Sequence, residues 1–457
     1  PRPLPPLPSK SQLAWHEAEL NAFVHFSINT FTGKEWGDGS EDPSLFNPTE
    51  LNPEQWVIVF KEVGFKGVIL TCKHHDGFCL WPSELTDHSV KKSPYKQGGG
   101  DVVRDLSEAC KRGGLKFGVY LSPWDRNNAS YGGAAYIQFY RDQLRELFSQ
   151  YEPIFEMWFD GANGGSGYYG GARETRRVPI ETYYDWPKTL DLVRTWKPDV
   201  LFFSDAGPGV RWCGNETGAA GETNWCTFNN DTIYAGKAGI EDVLNIGMEN
   251  GDKWIPAEVD VSIRPGWFYH PEEDSLVKTP QELFEIYLTS VGRGSTLLLN
   301  VPPDRRGLIH EHDIRSLKGM KALIGQQFKS NLALHASVIA SSHRESSALF
   351  APSNLTDGNK ETYWATDDSV QSGSVEISWG KPQTVRYVVL QEYIQLGQRV
   401  RGFSVEVQMN NTWKQVARGT TIGYKRILRF NAVETEKVRI TISDAKAGPV
   451  LSNVEIY

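Results

Sequence analysis

The chain has 457 residues, about three times a typical domain length of ~150, and barrels run longer than that as one unit, so two or three domains are allowed. With 39% hydrophobic and 23% charged residues and a mean hydropathy of -0.43, it can bury a sizeable core, which excludes a disordered chain and a membrane span. Its 48 Lys+Arg against 56 Asp+Glu give -8 without long like-charge runs, so the phosphate-neutralising charge that nucleic-acid binding needs has no source.

In chain order, Pro-rich Pro1 to Ser9 stands where a hydrophobic leader would be, so a signal peptide is expected to be absent or already removed. From Ala22 to about Leu334, short apolar β-rich runs alternate with helical patterns, which predicts βα units around a parallel sheet. The predicted strands are Ala22–Ile28, Gly67–Lys73, Lys116–Leu121, Ile154–Phe159, Val200–Ser204, Ile255–Val261 and Thr296–Val301. Between them, Pro53–Val63, Val102–Arg112, Tyr136–Tyr151, Trp186–Trp196 and Pro280–Val291 read as helices. Seven strands favour a (β/α)8-like barrel with one irregular unit, and the lack of a G-x-G-x-x-G turn after a strand argues against a dinucleotide fold.

After Leu334 the pattern changes. A serine-rich stretch, Ser337 to Ser347, leads into short alternating runs: Ser374–Trp379, Thr384–Gln391, Phe403–Met409, Arg426–Phe430 and Lys437–Ser443. This is the signature of an antiparallel β-sandwich, and the expected domains are 1–334 and 335–457. The five cysteines, Cys72, Cys79, Cys110, Cys213 and Cys226, are odd in number and form no CxxC pair, so buried thiols are expected and a disulfide scaffold or zinc knuckle is not.

Catalytic residues of such a barrel come from the C-terminal ends of its strands. The polar residues there are His25, His74 and His75, Tyr120 with Trp124, Asp160, Asp205, Glu258 with Asp260, and Asn300. Three histidines on neighbouring strands are read as hydrogen-bond donors to a polyol, with zinc ligation as the alternative. Asp160 closes the bulky run Phe155 to Phe159 and is read as a carboxylate at the barrel mouth beside Trp158, the alternative being a turn or helix-cap residue. Glycoside cleavage needs a second carboxylate. Asp205, Glu216, Glu258 and Asp260 all qualify, and spacing alone does not choose among them. Aromatics at 12% suit sugar faces as well as core packing.

Phe23-Val24-His25-Phe26-Ser27, Lys34-Glu35-Trp36-Gly37, Lys73-His74-His75-Asp76-Gly77-Phe78, Gly118-Val119-Tyr120-Leu121-Ser122 and Trp158-Phe159-Asp160-Gly161 together resemble glycoside hydrolase family 29, the α-L-fucosidases. The resemblance spans about residues 10 to 330. It implies a retaining double displacement with Asp160 as nucleophile. Asp205-Ala206-Gly207-Pro208, Arg211-Trp212 and Gly214-Asn215-Glu216 resemble the subfamily acting on branched α-1,3/1,4 fucosides, which implies Glu216 as acid/base, although the Gly-rich stretch Gly164 to Arg177 is inserted between the two. His25, Glu35, Trp36, His74, His75, Tyr120 and Trp158 look like fucose-pocket residues. Trp267 is read as a further wall or a core residue.

The C-terminal region resembles the discoidin-like modules that include the family 32 carbohydrate-binding modules. Asn354, Asp357, Asn359, Thr362 and Glu455 look like that fold's calcium loop, with a plain Asp-Gly-Asn turn as the alternative. The expectation is therefore a retaining exo-α-L-fucosidase acting on a fucosylated oligosaccharide or glycoconjugate. It needs no catalytic cofactor, carries a structural Ca²⁺ in its second domain, and is periplasmic or secreted. Two rivals stand beside it: a glycosidase for another deoxysugar or galactoside, and a catalytically silent fucose-binding lectin.

Overall fold

A computed structural model describes residues 1–151 and 153–457. Eight parallel strands close into a barrel in sequential order: β1 (Leu20–Val24), β2 (Gly67–Lys73), β3 (Lys116–Leu121), β4 (Ile154–Trp158), β5 (Leu201–Ser204), β6 (Val210–Trp212), β7 (Ala257–Ser262) and β8 (Thr296–Asn300). The ring is shut by β1 against β8, with Leu20 opposite Leu297 and Phe23 opposite Asn300. These strands are buried on both faces, which is why β2, β5 and β8 read as apolar runs, while β7, Ala-Glu-Val-Asp-Val-Ser, alternates.

Helices cover the outside: α1 (Lys10–Ala18), α2 (Pro53–Val63), α3 (Val102–Gly113), α4 (Ala134–Gln150), α5 (Trp186–Trp196), α6 (Glu241–Ile246), α7 (Pro280–Thr289) and α8 (Glu311–Gln327). The segment of α2 shows why they form. Asn52 accepts from Gln55 N, Pro53 opens the first turn, and Trp56, Val57, Phe60 and Val63 bury one face. The helix stops at Gly64, whose φ of 109° favours a residue without a Cβ.

The irregular unit lies between β5 and β6. Five residues join these parallel neighbours, where a crossover of a dozen or more is usual, so no helix separates them and β6 is absent from the strands predicted above. In exchange, the connection from β6 to β7 is long. It carries α6 and a two-stranded antiparallel pair, Thr227–Phe228 with Lys253–Trp254.

The second domain is antiparallel throughout: β9 (Ser337–Ala340), β10 (Trp364–Ala365), β11 (Gly373–Glu392), β12 (Val400–Met409), β13 (Thr412–Gly419), β14 (Arg426–Ala445) and β15 (Val450–Ile456). The order is β10-β15-β11-β14-β12-β13, with β9 on β11. Four predicted runs merge in pairs into the 20-residue β11 and β14, whose pairing shifts register between Ser378 and Gln383. The core holds Val375, Ile377, Val405, Ile440 and Trp364. A separate apolar seam of Phe284, Leu288, Tyr387, Val389 and Ile427 joins α7 to β11 and β14. All five cysteines are buried free thiols.

Candidate active site

Alternate residues of a strand face the same side. In β4, Glu156 and Trp158 therefore share the barrel interior, and the alternation runs on to Asp160 just past the strand end. On β7 the same rule sets Glu258 below Asp260, and from β1 it carries Phe23 and His25. The upper members of these columns meet at the C-terminal ends of the strands in a cavity of about 340 Å³, within the size range of small-ligand sites. Asp160, Glu216, His25, Glu35, Trp36, His74, His75, Tyr120, Trp158 and Trp267 all line it, together with Phe23, Ala162 and Asp260.

Its base is a stack of aromatics. Trp158 lies on Phe203 with ring centroids 3.8 Å apart and an interplanar angle of 6°, and on Tyr120 at 5.5 Å. Its Nε1 donates to Glu258 Oε1 at 3.0 Å. Trp36 stands at the mouth, 55% exposed, its ring perpendicular to those of His75 and Trp124. Trp267 is a wall and not a core residue: it lines the cavity, and its backbone N donates to Glu35 Oε2 at 2.8 Å. Phe268 N and His270 Nε2 hold Glu35 Oε1 at 3.2 and 2.5 Å. Glu35 thus fastens the Trp267 segment while facing the cavity. The inserted stretch forms a hairpin, Gly165–Gly167 against Glu174–Arg176, tied to the Trp36 segment by Tyr168 N donating to Asp38 O.

The histidines correct one expectation. Asn300 donates through Nδ2 to Ser262 Oγ and Trp267 O, so its Oδ1 accepts, and His25 Nδ1, 2.8 Å away, is the donor. Ser122 spends its only hydrogen on Trp124 O, so its oxygen accepts from His75 Nδ1 at 2.7 Å. Burial lowers both imidazoles from 6.5, His25 to about 3, and keeps them neutral. Each is left with an Nε2 lone pair, which equips these two rings to accept a hydrogen bond at that nitrogen, where the expectation had them donating. His74 stacks on Tyr120 with its Nδ1 buried and unpaired.

Zinc ligation by the three histidines finds no geometric support. Among the described residues, the group of His, Cys, Asp and Glu whose ligand atoms converge is Asp304, His310 and Glu311, and there Arg306 already bonds both carboxylates. In the second domain, Asn359 N and Thr362 Oγ1 donate to Asp357, and Asn354 Nδ2 bonds Tyr363 O. The plain turn is therefore present and holds itself together. Glu455 is not joined to it: its carboxylate accepts from Asn453 and Tyr457.

The carboxylates now separate by environment. Asp160 Oδ2 accepts from Tyr120 OH at 2.8 Å and Oδ1 from Ala162 N at 2.7 Å, so the turn reading and the mouth reading both hold. Glu258 is fully buried below the cavity, its two oxygens taken by Trp15 and Trp158. Asp205 lies behind Gly161, accepts from Gly236 N, and is pushed up to about 7 by burial. Asp260 lines the cavity with Oδ1 on Trp212 Nε1 and sits well above the usual carboxylate range, first through burial and then through Glu216 and Glu258. Glu216 alone stands on an exposed rim loop. Its carboxyl is raised first by desolvation in the cavity and then by the charge of Asp160. Sequence reasoning passed over Phe23 and Ala162. The i, i+2 relation of Phe23 to His25 was a usable signal, whereas Ala162 carried none.

A closed βα barrel with an aromatic-floored pocket and carboxylates at its strand ends has the architecture of a barrel glycoside hydrolase. Residues 8–327 match the alpha-L-fucosidase family model and residues 337–456 the F5/8 type C domain model. Alpha-L-fucosidase 1 of Arabidopsis thaliana is 42% identical over 463 residues, spanning 100% of this chain and 88% of the relative. Among solved structures, a glycoside hydrolase 29 family member from an unknown rumen bacterium superposes with a TM-score of 0.89 at 43% identity, over 100% of this chain and 78% of that one. A Ruminococcus gnavus GH29 fucosidase in complex with fucose gives 0.89 at 34%, over 100% and 96%. The chain belongs to the α-L-fucosidase family. It is an α-L-fucosidase, a glycoside hydrolase, and that activity implies a fucosylated glycan as substrate. No helix among the described residues is long and apolar enough to cross a membrane.

Proposed function

We propose that the chain is a retaining exo-acting enzyme that removes terminal α-1,3/1,4-linked L-fucose from branched glycans. Asp160 attacks the anomeric carbon. Glu216 protonates the departing glycosidic oxygen and then, as its carboxylate, deprotonates the water that releases fucose. The observation that carries this reading is the contrast between the two groups in one cavity. Asp160 is held by a donor on each oxygen at a strand end. Glu216 stands on the rim with its carboxyl raised toward the protonated form, where an acid for a leaving group belongs.

A pocket with a closed aromatic floor takes a chain end, which supports exo action. The neutral His25 and His75 accept from sugar hydroxyls, while the aromatic faces suit the C5 methyl of fucose. NMR during cleavage of an aryl α-L-fucoside tests the mechanism: α-fucose should appear first, and β-fucose first would contradict retention. Cleavage of α-1,2-linked fucose in preference to α-1,3 and α-1,4 would contradict the linkage. A calcium ion at the loop carrying Asn354, Asp357, Asn359 and Thr362 is a further proposal, supported by the oxygens that this loop gathers; Glu455 would have to leave Asn453 and Tyr457 to join it. A periplasmic or secreted location is proposed on the resemblance alone, and cell fractionation tests it.

A further inference from the structure

Glu216 sits on an irregular loop, residues 213–226, that leaves β6. Its tip is closed by Asn215, whose Oδ1 accepts from Thr217 N and Oγ1 at 3.1 and 2.7 Å while Nδ2 donates to Ala219 O at 2.8 Å. The barrel holds the next residues: Thr289 Oγ1 donates to Gly218 O and Arg293 to Ala220 O. From Glu222 onward the second domain adds its own partners to those of the barrel, where Trp225 N donates to Ile246 O and Cys226 O accepts from Ile255 N. Arg426 donates to Glu222 O at 2.8 Å. Asn224 N donates to Thr421 Oγ1 at 2.8 Å, and Asn224 O accepts from Gln398 Nε2 at 2.9 Å. Gln398 Oε1 also accepts from Cys226 N at 2.7 Å.

Both backbone polar groups of Asn224 are thus satisfied by the second domain alone, while its side chain is bound by the barrel through Ser295 and Arg211. Asn224, Cys226, Gln398 and Thr421 are all buried, so losing these partners strands buried donors and acceptors and weakens the hold on a segment that the barrel grips only in part.

We propose that the C-terminal domain positions the acid/base of the barrel: Gln398 and Thr421 clamp residues 224–226 and thereby fix the loop that presents Glu216. Gln398 and Thr421 are positioning residues. They line no part of the cavity and act through the loop. The inference rests on the reading of Glu216 as acid, and its signature follows from that role. A loosened loop harms the protonation of a poor leaving group and spares a substrate whose leaving group departs without a proton.

The test compares Gln398→Ala, Thr421→Val and Glu216→Ala with the parent full chain on α-L-fucosyl fluoride and on an α-linked fucosyl disaccharide that the parent cleaves. General acid catalysis is worth about 10²- to 10⁴-fold, and small misplacements forfeit much of it. For Gln398→Ala, kcat/KM on the disaccharide should fall at least about tenfold while the fluoride changes less than about twofold. Thr421→Val should show the same split more weakly, and it keeps the test open if Gln398→Ala does not fold. Equal losses on both substrates, or none on either, in folded variants would overturn the inference while leaving Glu216 as acid. If Glu216→Ala itself slowed both substrates alike, the reading of Glu216 would fail, and the inference with it.

Discussion

Tyr120 donates its hydroxyl hydrogen to Asp160 Oδ2 at 2.8 Å from the neighbouring strand, where Tyr120 is in register with Trp158. Burial first, and then the charge of Asp160, hold the phenol well above its ordinary pKa, so it remains a donor through the working pH range. With Ala162 N on Oδ1, the carboxylate is aimed from both sides. Tyr120→Phe removes one charge-assisted hydrogen bond worth about 1.5–3 kcal/mol. The expected result is a fall in kcat of about 10- to 100-fold with a smaller change in KM, read by steady-state kinetics on an aryl fucoside.

Replacing the nucleophile itself should be far costlier. Asp160→Ala is expected to lose roughly 10³-fold or more in kcat with the fold retained by circular dichroism, since among the described residues the side chain is anchored only to Tyr120 and to a turn N–H. A folded variant with near-parental turnover would remove Asp160 from the chemistry.

The pH profile carries the signature of Glu216. As general acid it must be protonated, and its pKa is raised from 4.5 by desolvation and by Asp160. Activity therefore persists above the usual carboxylate range and declines as pH rises through the Glu216 pKa. Glu216→Ala should flatten that alkaline limb. Azide, which needs no general base, should rescue Glu216→Ala on substrates with good leaving groups and yield the α-fucosyl azide. Rescue of Asp260→Ala in its place would transfer the acid role to Asp260.

For the second domain, calcium bound by the folded state alone should raise the melting temperature by mass action. Chelator should lower it and leave hydrolysis of small fucosides unchanged, because no ion takes part in the proposed displacement. Scanning calorimetry with and without chelator checks this; an unmoved melting curve would mean that the Asp357 turn is closed by Asn359 and Thr362 alone.

Much of this site was legible because strand ends in a barrel are where polar residues gather: His25, His74 and Asp160 each come just past a strand, and Tyr120 is the penultimate residue of one. Strand β6 was not legible. It has three residues, lies five residues after β5, and carries Arg211 in its middle. That arginine is buried only because the Leu244 and Ile255 carbonyls and Asn224 receive its guanidinium, partners far off in sequence. In the second domain, Gly380-Lys381-Pro382 reads as a turn between two strands, yet β11 continues through it with a register shift. The separation of Glu216 and Asp260 from Glu258 and Asp205 was closed to sequence reasoning for a similar reason. All four are acids near strand ends, and only the tertiary packing of Trp15, Trp158 and Gly161 decides which are buried away from the cavity.

A retaining double displacement requires a covalent fucosyl intermediate on Asp160. The enzyme treated with 2-deoxy-2-fluoro-α-L-fucosyl fluoride, digested and mapped by tandem mass spectrometry, measures it directly, because the C2 fluorine slows both oxocarbenium-like steps while the anomeric fluoride, a good leaving group, speeds formation of the adduct alone. One fluorofucosyl group is expected on the peptide spanning β4, placed on Asp160. An adduct on Asp205, Asp260 or Glu216 would contradict it.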